Sequence, residues 1–316
     1  MPLTPGASSA APRVGFVGLG TMGAPMARNL ARAGFELALA TRTAGKARAL
    51  AAEITAASTT RAPSVRACDS PEELARLCDV VVSCLPDSPE VEEVHLGERG
   101  TIRGARPGTV IVDCSTIAAE AARGIAAALA QSGLLWLDAP VSGGQKGAIE
   151  GTLTFFVGGE EAALAKARPV LEAMGKRITL LGGAGAGQLG KATNQIIVAG
   201  NLVAVAEGIA FARKVGLPLD ALHGALTAGA ANSWALEVLG RKMIDRDFKP
   251  AFAIRHQQKD LAIVLQTARA NGMPLPAVAL VHQLLSALEA QGRGDDGTQA
   301  LLKLYETMST GPVAPA

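Results

Sequence analysis

The six residues Gly18-Leu19-Gly20-Thr21-Met22-Gly23 have the spacing G-x-G-x-x-G, directly after an apolar run and directly before a helical pattern. In that setting the first glycine permits a tight turn, the second lets the backbone approach a pyrophosphate, and the third packs the helix against the strand. The amino terminus of the helix offers free N–H groups and the positive end of the helix dipole to an anion. The motif therefore predicts a dinucleotide-binding site.

The end of the second predicted strand bears on which nucleotide is bound. An acidic residue about 20 positions beyond the glycine motif would bind the ribose 2′-hydroxyl of NAD. The chain reads Ala40-Thr41-Arg42-Thr43 there, without a carboxylate. Because a guanidinium group pairs well with a phosphate, Arg42, with Thr43 beside it, favours NADP over NAD. The alternative is a solvated arginine beside a site that accepts both nucleotides.

A catalytic acid or base is less obvious from the sequence. Tyr305 is the only tyrosine, and Ser309 stands four residues after it, where a short-chain dehydrogenase needs a lysine. The four histidines are scattered, and none has a recognisable carboxylate partner in sequence: His95, His223, His256 and His282. Lysines are therefore the remaining candidates for a general acid.

Lys191 lies in an unusual segment, Gly185-Ala186-Gly187-Gln188-Leu189-Gly190-Lys191-Ala192-Thr193-Asn194. The segment nearly matches the phosphate-binding loop of NTPases, but Ala192 stands where that loop needs a hydroxyl group to hold Mg²⁺. A complete dinucleotide motif also precedes it, so the NTPase interpretation is disfavoured. On a helix, Lys191 and Asn194 would share one face.

Four motifs in order give the chain a resemblance to a known family. From about residue 14 to residue 308 it resembles the β-hydroxyacid dehydrogenase family, which includes 3-hydroxyisobutyrate dehydrogenases and tartronate semialdehyde reductases. The motifs are GFVGLGTMGAPMARNL at 15–30, DAPVSGGQKGAIEGTL at 138–153, the spaced residues Gly185, Gly187, Lys191 and Asn194, and Lys259-Asp260-Leu261.

The resemblance implies a role for each motif. It makes Lys191 the catalytic acid and base and places Asn194 at the substrate. It assigns the substrate carboxylate to Ser142, Gly143 and Gly144, in a loop at the end of a strand whose N–H groups suit an anion. It also implies that four residues beyond the glycine motif line the cofactor: Leu85, Pro86, Thr116 and Lys259. Without the resemblance, these residues would be interpreted as a turn, a solvated lysine and a surface ion pair.

The reaction that the resemblance implies is reversible hydride transfer between NADPH or NADH and a small semialdehyde acid. The segments 190–198 and 256–261 most resemble the branch that reduces tartronate semialdehyde (2-hydroxy-3-oxopropionate). Oxidation of 3-hydroxyisobutyrate and reduction of succinic semialdehyde are the alternatives within the family. A remoter alternative is a non-catalytic NADP-binding module that mediates oligomerisation.

The composition limits the partners. The chain has 316 residues and a net charge of +2, and 3% of its residues are aromatic. These values favour neither nucleic acid nor a membrane as a partner. We expect a small carboxylate-bearing substrate, no metal ion, and self-association into a homodimer or homotetramer. Four cysteines without a C-x-x-C pair indicate free thiols in a reducing compartment, so we expect a cytoplasmic protein: Cys68, Cys78, Cys84 and Cys114.

The elements that must position these residues change character along the chain. Short β-branched runs alternate with helical patterns, which predicts an α/β unit at 13–181 with a doubly wound, mostly parallel Rossmann sheet. Residues 182–316 predict an all-α domain for substrate binding and oligomerisation, joined by a long interdomain helix. Residues 1–12 are predicted to be a disordered leader, and 51–66 a surface excursion. Strands are predicted at 14–18, 37–41, 80–84, 110–113, 134–138, 152–157 and 178–181, and the interdomain helix at 188–215.

Overall fold

The computed structural model describes residues 11–43, 45–57 and 64–309. By its contacts the chain divides into two compact units, Met1–Gly190 and Lys191–Ala316. Residues 1–10 of the predicted leader and residues 58–63 of the predicted surface excursion lie outside the described residues. The rest of the predicted excursion at 51–66 is partly wrong, because residues 51–57 continue a helix that buries Ala51 and Ile54, and residues 65–66 lie in a strand.

In its described residues, the first unit contains one sheet of nine strands. The strands are β1 (Val14–Val17), β2 (Leu37–Ala40), β3 (Val65–Ala67), β4 (Val80–Ser83), β5 (Val110–Asp113), β6 (Leu135–Asp138), β7 (Val141–Ser142), β8 (Leu153–Gly159) and β9 (Gly175–Gly182). The runs of β1, β2, β4 and β5 are buried along their whole length. Continuous burial is expected for parallel strands that helices cover on both faces.

The sheet begins with six parallel strands in the order β3-β2-β1-β4-β5-β6. Strand β8 runs antiparallel to β6 and β7, which pair with it in one continuous register, and parallel to β9 on its other edge. This order confirms the predicted doubly wound, mostly parallel sheet. The sequence pattern misses β3 and β7, because these strands have only three and two residues and neither is fully buried.

Eight helices connect these strands in the described part of the first unit. They are α1 (Gly23–Arg32), α2 (Lys46–Ala57), α3 (Pro71–Leu77), α4 (Ser88–Leu96), α5 (Thr101–Gly104), α6 (Ala119–Ala130), α7 (Gly144–Glu150) and α8 (Glu161–Glu172). The buried residues of α1 include Gly23, Met26, Ala27 and Leu30, and this i, i+3, i+4, i+7 spacing places them on one helical face. The helix ends before Gly34, whose φ of +89° lies in the left-handed region that favours glycine.

The second unit is helical in its described residues, as predicted for the C-terminal domain. Its helices are α9 (Ala186–Lys214), which begins in the first unit, α10 (Leu219–Thr227), α11 (Arg241–Ile244), α12 (Ile254–Ala270), α13 (Pro276–Ala290) and α14 (Leu301–Met308). A π-helical segment at Ala235–Gly240 precedes α11, and a 3₁₀ turn at Thr298–Ala300 precedes α14.

Helix α9 has 29 residues and is the one helix among those described that is both long and apolar enough to cross a membrane. By length and hydropathy it meets the criteria for a membrane-spanning helix, but the core helix of a soluble protein meets the same criteria. Ala199, Leu202, Ala206 and Ile209 are almost fully buried in the core of the second unit. Their spacing of three and four residues places them on one face, so α9 contributes one packed face to that core.

The contact between α1 and the turn before it predicts opposite effects for two glycine-to-alanine changes. A Cβ at Gly23 would overlap the carbonyl oxygen of Gly18 and crowd the ring of Phe16. Gly23→Ala should therefore lower the free energy of unfolding by about 1–3 kcal/mol. Gly124 lies within α6, and a Cβ there would meet no atom within 4 Å. Gly124→Ala should raise the free energy of unfolding by about 0.5–1 kcal/mol, because alanine is the better helix former.

Urea unfolding of the two variants beside the wild type measures both effects. Equal free energies of unfolding for Gly23→Ala and Gly124→Ala would contradict the packing of α1 described above.

Candidate active site

The turn between β1 and α1 depends on two of its glycines for packing. Gly18 has a φ of +93°, and a Cβ there would overlap the carbonyl oxygen of Cys84, which follows β4. The N–H of Gly18 donates to the carbonyl oxygen of Ala40 at 3.1 Å, which ties the turn to the end of β2. Gly23 lets α1 approach the turn itself. The turn therefore lies at the carboxyl ends of β1, β2 and β4, where doubly wound sheets bind ligands.

The space around Gly20, the middle glycine of the motif, shows whether this turn has room for a dinucleotide. Gly20 is exposed, and a Cβ there would meet no atom within 4 Å, so its backbone faces open space. It lies three residues before Gly23, where α1 begins, and the first turn of α1 carries no acidic residue. Open backbone in front of a helix amino terminus suits a pyrophosphate. Of the other motif residues, Leu19 is buried, Met22 is half-buried and Thr21 is exposed.

The segment after β2 contains Arg42 and Thr43, the residues predicted to favour NADP over NAD. Arg42 and Thr43 are both exposed and lie two and three residues beyond the end of β2. Because Ala40 accepts the N–H of Gly18, this segment begins beside the glycine turn. Arg42 thus lies at the carboxyl edge of the sheet, and its side chain is exposed, so that its guanidinium group is accessible to the 2′-phosphate of a nucleotide.

The segments after β4 and β5 are joined to each other and to the glycine turn. The N–H of Leu85 donates to Oγ of Ser115 at 2.8 Å. The Leu85 side chain packs so closely on Gly18 that a Cβ there would lie 2.9 Å from its Cδ2. Pro86 is exposed next to Leu85, and Thr116 is half-buried next to Ser115. The structure therefore brings the predicted cofactor residues of the first unit to one edge of the sheet.

Gln188 holds the backbone on both sides of Thr116. Its Nε2 donates to the carbonyl oxygen of Ser115 at 2.9 Å, and its Oε1 accepts the N–H of Ile117 at 3.1 Å. The side chain is 3% exposed, so these bonds are shielded from water. Sequence reasoning did not assign Gln188 a role, because its partners lie more than 70 residues earlier in the chain.

Asp138, at the end of β6, accepts N–H groups at the start of α9. Its Oδ1 accepts the N–H of Gly185 at 2.7 Å, and its Oδ2 accepts the N–H of Gln188 at 3.0 Å. Burial raises the pKa of Asp138, and these N–H groups oppose the shift. A Cβ at Gly187 would overlap the carbonyl oxygens of Asp138 and Phe156. Close packing of the first turn of α9 against the sheet therefore explains the glycine at position 187.

A second buried carboxylate, Asp113, ends β5. Its Oδ1 accepts the hydroxyl groups of Ser83 at 2.7 Å and Ser115 at 2.6 Å, and its Oδ2 has no hydrogen-bond partner among the described residues. Burial raises the pKa of Asp113 to about 6, although these hydroxyl groups lower it. Oγ of Ser83 also contacts Nε2 of His95 at 2.9 Å. Burial lowers the pKa of His95 to about 3, which makes this histidine a neutral structural group rather than an exposed acid or base.

The predicted Ser-Gly-Gly loop is not an open loop. Ser142 ends β7, where it pairs with Thr154 of β8, and Gly144 begins α7. Gly143 and Gly144 have φ values of +124° and +60°, which allow the chain to turn sharply from strand to helix. Both glycines are exposed, and Ser142 is half-buried. The prediction of a loop is wrong because the register that continues from β6 makes a strand of Val141 and Ser142, which are too few for a sequence pattern.

Helix α7 is attached to the helix of the glycine motif. Nδ2 of Asn29, in α1, donates to the carbonyl oxygen of Ala148, in α7, at 2.7 Å, and Asn29 is 5% exposed. The turn at Gly143 and the turn at Gly18 therefore lie at the beginnings of two helices that pack on each other.

Lys191 lies in the second turn of α9 and is 8% exposed. Burial lowers its pKa, and the neighbouring charge of Lys259 lowers it further, while Asp260 has the opposite effect. Asn194 is half-buried one turn further along α9. A lysine with a lowered pKa releases a proton more readily at neutral pH, which is the property required of a general acid and base.

Asp260 connects α12 with α9 inside the second unit. Its Oδ2 accepts Nε2 of Gln195 at 2.7 Å, and its Oδ1 lies 3.1 Å from Nζ of Lys259. Gln195 in turn accepts Nδ2 of Asn194 at 2.8 Å. The structure thus brings Lys191, Asn194 and Lys259 together around Asp260. The sequence offered one signal for Gln195: it lies four residues after Lys191 and shares its helical face.

Both parts of the chain match known sequence families. Residues 13–183 match the family described as the NAD binding domain of 6-phosphogluconate dehydrogenase. Residues 185–305 match the family described as NAD-binding of NADP-dependent 3-hydroxyisobutyrate dehydrogenase. The two matches meet near the beginning of α9.

Individual relatives cover almost the full length of the chain. The 2-hydroxy-3-oxopropionate reductase of Escherichia coli (strain K12) is 40% identical over 302 residues, which are 96% of this chain and 100% of the relative. The solved structure of Mycobacterium tuberculosis 3-hydroxyisobutyrate dehydrogenase with L-serine is 33% identical, with a TM-score of 0.83, and the match covers 93% of this chain and 99% of that one. The structure of Psf3 in complex with NADP⁺ and 2-OPP is 26% identical, with a TM-score of 0.81, over 92% of this chain and 99% of that one.

The raised pKa of Asp113 predicts a specific pH dependence of stability. The folded state binds the Asp113 proton more tightly than the unfolded chain does, because the pKa is about 6 rather than the usual 3.8. The wild type should therefore lose stability relative to Asp113→Asn as the pH rises from 4 to 7, by about 2 kcal/mol for a shift of about two pKa units, part of which is already lost at pH 4. Urea unfolding of both proteins at pH 4, 5.5 and 7 measures this difference. A difference that does not change with pH would disprove the raised pKa.

Proposed function

Because the chain belongs to the β-hydroxyacid dehydrogenase family, as its resemblance implied, we propose that it reduces tartronate semialdehyde (2-hydroxy-3-oxopropionate) with a nicotinamide nucleotide. The class of the enzyme, an NAD(P)-dependent hydroxyacid dehydrogenase, follows from the family matches and the named relatives. The observation that carries the choice of substrate is the 40% identity to a 2-hydroxy-3-oxopropionate reductase along the full length of that relative.

Lys191 is the proposed catalytic acid and base. In the reductive direction its ammonium group donates a proton to the alkoxide that develops at the substrate carbonyl, and in the oxidative direction its neutral amine accepts the hydroxyl proton. Burial supports this role because it lowers the pKa of the lysine, and a general acid works best when its pKa lies near the operating pH. The bound nicotinamide supplies or accepts the hydride.

The substrate is held by its carboxylate. We assign this contact to the hydroxyl group of Ser142 and the N–H groups of Gly143 and Gly144, which are accessible at the turn into α7. Asn194 is placed at the substrate on the same helical face as Lys191. Binding of the carboxylate restricts the orientation of the substrate, which lowers the entropic part of the barrier.

The cofactor is assigned to the carboxyl edge of the sheet. The turn from Gly18 to Gly23 would receive the pyrophosphate, and Leu85, Pro86 and Thr116 would line the nucleotide. Lys259 is assigned to the nicotinamide end on the basis of the resemblance. Arg42 and Thr43 would bind the 2′-phosphate, so NADP is the preferred cofactor in this proposal, and the neighbouring structure that contains NADP⁺ supports it.

3-Hydroxyisobutyrate is the second candidate substrate. The dehydrogenase of this name from Mycobacterium tuberculosis, solved with L-serine, has a TM-score of 0.83 with this chain. 2-Hydroxy-3-oxopropionate, 3-hydroxyisobutyrate and L-serine all have a three-carbon acid chain with an oxygen function at carbon 3, so the carboxylate contact and the lysine assigned above suit each of them. A panel of tartronate, methylmalonate and succinic semialdehydes, each assayed with NADPH and NADH, separates these candidates. The highest kcat/KM should be for tartronate semialdehyde.

Removal of the Lys191 amine should abolish proton transfer with little effect on nucleotide binding. Lys191→Ala is expected to lower kcat by a factor of about 10²–10⁴, a typical contribution of general acid catalysis. The Kd for NADPH, measured by fluorescence titration, should stay within about twofold of the wild type. Lys166→Ala is the matched control, because Lys166 is an exposed lysine on α8. A kcat of Lys191→Ala equal to that of this control would exclude Lys191 as the acid.

Arg42→Ala tests the nucleotide preference. Loss of a charge-assisted hydrogen bond to a 2′-phosphate should lower kcat/KM with NADPH by a factor of about 10 or more. The value with NADH should be unchanged, because NADH has no such phosphate, so the two cofactors serve as each other's control. A wild type that prefers NADH, or a variant that is equally active with NADPH, would refute the role of Arg42.

A further inference from the structure

Five polar side chains form a hydrogen-bonded chain beneath the cofactor edge of the sheet. It runs from Thr101 through His95, Ser83 and Asp113 to Ser115, and it ends at the N–H of Leu85. The distances between successive polar atoms are 2.6–2.9 Å. All five side chains are at least 98% buried. We call this chain the Asp113 relay.

The chemistry of the groups fixes the direction of the hydrogen bonds. Oδ1 of an ionised Asp113 can only accept, so the hydroxyl protons of Ser83 and Ser115 both point to it. Oγ of Ser83 must then accept a proton from Nε2 of His95. The opposite nitrogen, Nδ1, accepts from the hydroxyl group of Thr101, which makes His95 the Nε2–H tautomer. Burial of the ring lowers its pKa and so favours the neutral form that this arrangement requires. The edge of this ring also faces Trp136, with the ring centroids 5.6 Å apart.

The last link of the relay acts on backbone. Ser115 donates its only hydroxyl proton to Asp113, so its oxygen lone pairs face the N–H of Leu85. The relay therefore leaves one orientation for this hydroxyl group and one position for the backbone at residue 85. In a water-free interior such bonds are strong and directional, and chains of them reinforce one another.

A polar chain of this kind needs an explanation other than stability. Burying a carboxylate and four polar side chains costs free energy that apolar side chains of similar volume would not cost. Leu85 packs on Gly18 of the glycine turn, and Ser115 directly precedes Thr116. The relay thus ends at the two segments that line the proposed cofactor site.

We propose that the Asp113 relay positions the Leu85-Pro86 segment for the nicotinamide nucleotide, with Ser115 as the positioning residue and Asp113 as its anchor. The inference rests on the proposed cofactor site. It gives a function to the five buried residues of the relay, which lie beneath the proposed cofactor site. They fix the position of the Leu85 backbone before the nucleotide binds.

Ser115→Ala tests the proposal, with Ser70→Ala as the matched control. Ser70 is also a buried serine of the first unit, 4% exposed, and its hydroxyl group accepts one backbone N–H, that of Glu73, at 3.1 Å. Each variant loses one hydroxyl-to-backbone bond, but only Ser115 acts on the cofactor edge. Tm values of the nucleotide-free proteins and Kd values for NADPH and NADH are measured by thermal unfolding and fluorescence titration, together with steady-state kinetics.

We expect both variants to have lower Tm values, and only Ser115→Ala to have a higher Kd for both nucleotides, by about five- to tenfold. The KM for nucleotide should rise in parallel, while kcat at saturating nucleotide and the KM for the semialdehyde stay within about twofold of the wild type. A merely structural role would not produce this split. Ser83→Ala, which removes one donor to Asp113 further from the cofactor edge, should raise both Kd values by about twofold or more.

Three results would overturn the proposal. Equal nucleotide Kd values in Ser115→Ala and Ser70→Ala would show that the relay serves folding alone. If Ser115→Ala does not fold, an unchanged Kd in Ser83→Ala has the same meaning. A wild type that binds neither NADPH nor NADH would overturn the proposed cofactor site and the relay with it. The wild-type titration shows this outcome before any variant is compared, so failure of the cofactor site is distinguished from failure of the relay.

Discussion

The carboxylate of Asp138 sets the residue at which the long helix begins. It accepts N–H groups of Gly185 and Gln188 at the amino terminus of α9, and such free N–H groups must find partners when they are buried. Once the first turn is fixed, the helical repeat determines the rest. Lys191 follows Gln188 by three residues, and Asn194 and Gln195 follow Lys191 by three and four, so these side chains lie along one face. The side chain that brackets Thr116 and the proposed catalytic lysine therefore depend on the same carboxylate.

Burial of individual side chains, rather than the net charge of the chain, shifts the pKa values of the ionisable groups discussed above. The chain carries a net charge of only +2. The ionisable side chains with shifted pKa values at the candidate site are a few that are buried away from water. Burial lowers the pKa of Lys191 and raises that of Asp113, because low polarity disfavours the charged form of either group. Each is held by defined neighbours: Lys191 lies near Asp260 and Lys259, and Asp113 accepts two serine hydroxyl groups. The same physical effect thus makes the Lys191 ammonium group release its proton more readily and makes the Asp113 carboxyl group hold its proton more tightly.

Contacts from the segments after β2, β4 and β5 hold the glycine turn in place. The turn at Gly18 leaves backbone exposed to a ligand, and exposed turns are the parts of a fold most free to move. Here Ala40 holds the turn from one side, and Leu85 packs on it from the other. Ser115 holds Leu85, and Gln188 holds the backbone around Thr116. The edge of the sheet proposed to bind the cofactor is therefore built from loops whose backbone is held by hydrogen bonds and packing from neighbouring segments.

The sequence by itself determined the class of fold, the glycine turn and the helical placement of Lys191 and Asn194. Each of these depends on a pattern within a short stretch of chain: short β-branched runs, G-x-G-x-x-G, or an i, i+3 pair. The tertiary structure decided what distant residues do to one another. Gln188 lies 71 and 73 residues from its partners, Asp113 lies 30 from Ser83, and Gln195 lies 65 from Asp260. It also made a strand and a helix of the predicted loop around Ser142, because pairing with β8 stabilises two residues that have no strand pattern of their own. Pairing and burial are properties of neighbours in space, and a sequence pattern contains only neighbours along the chain.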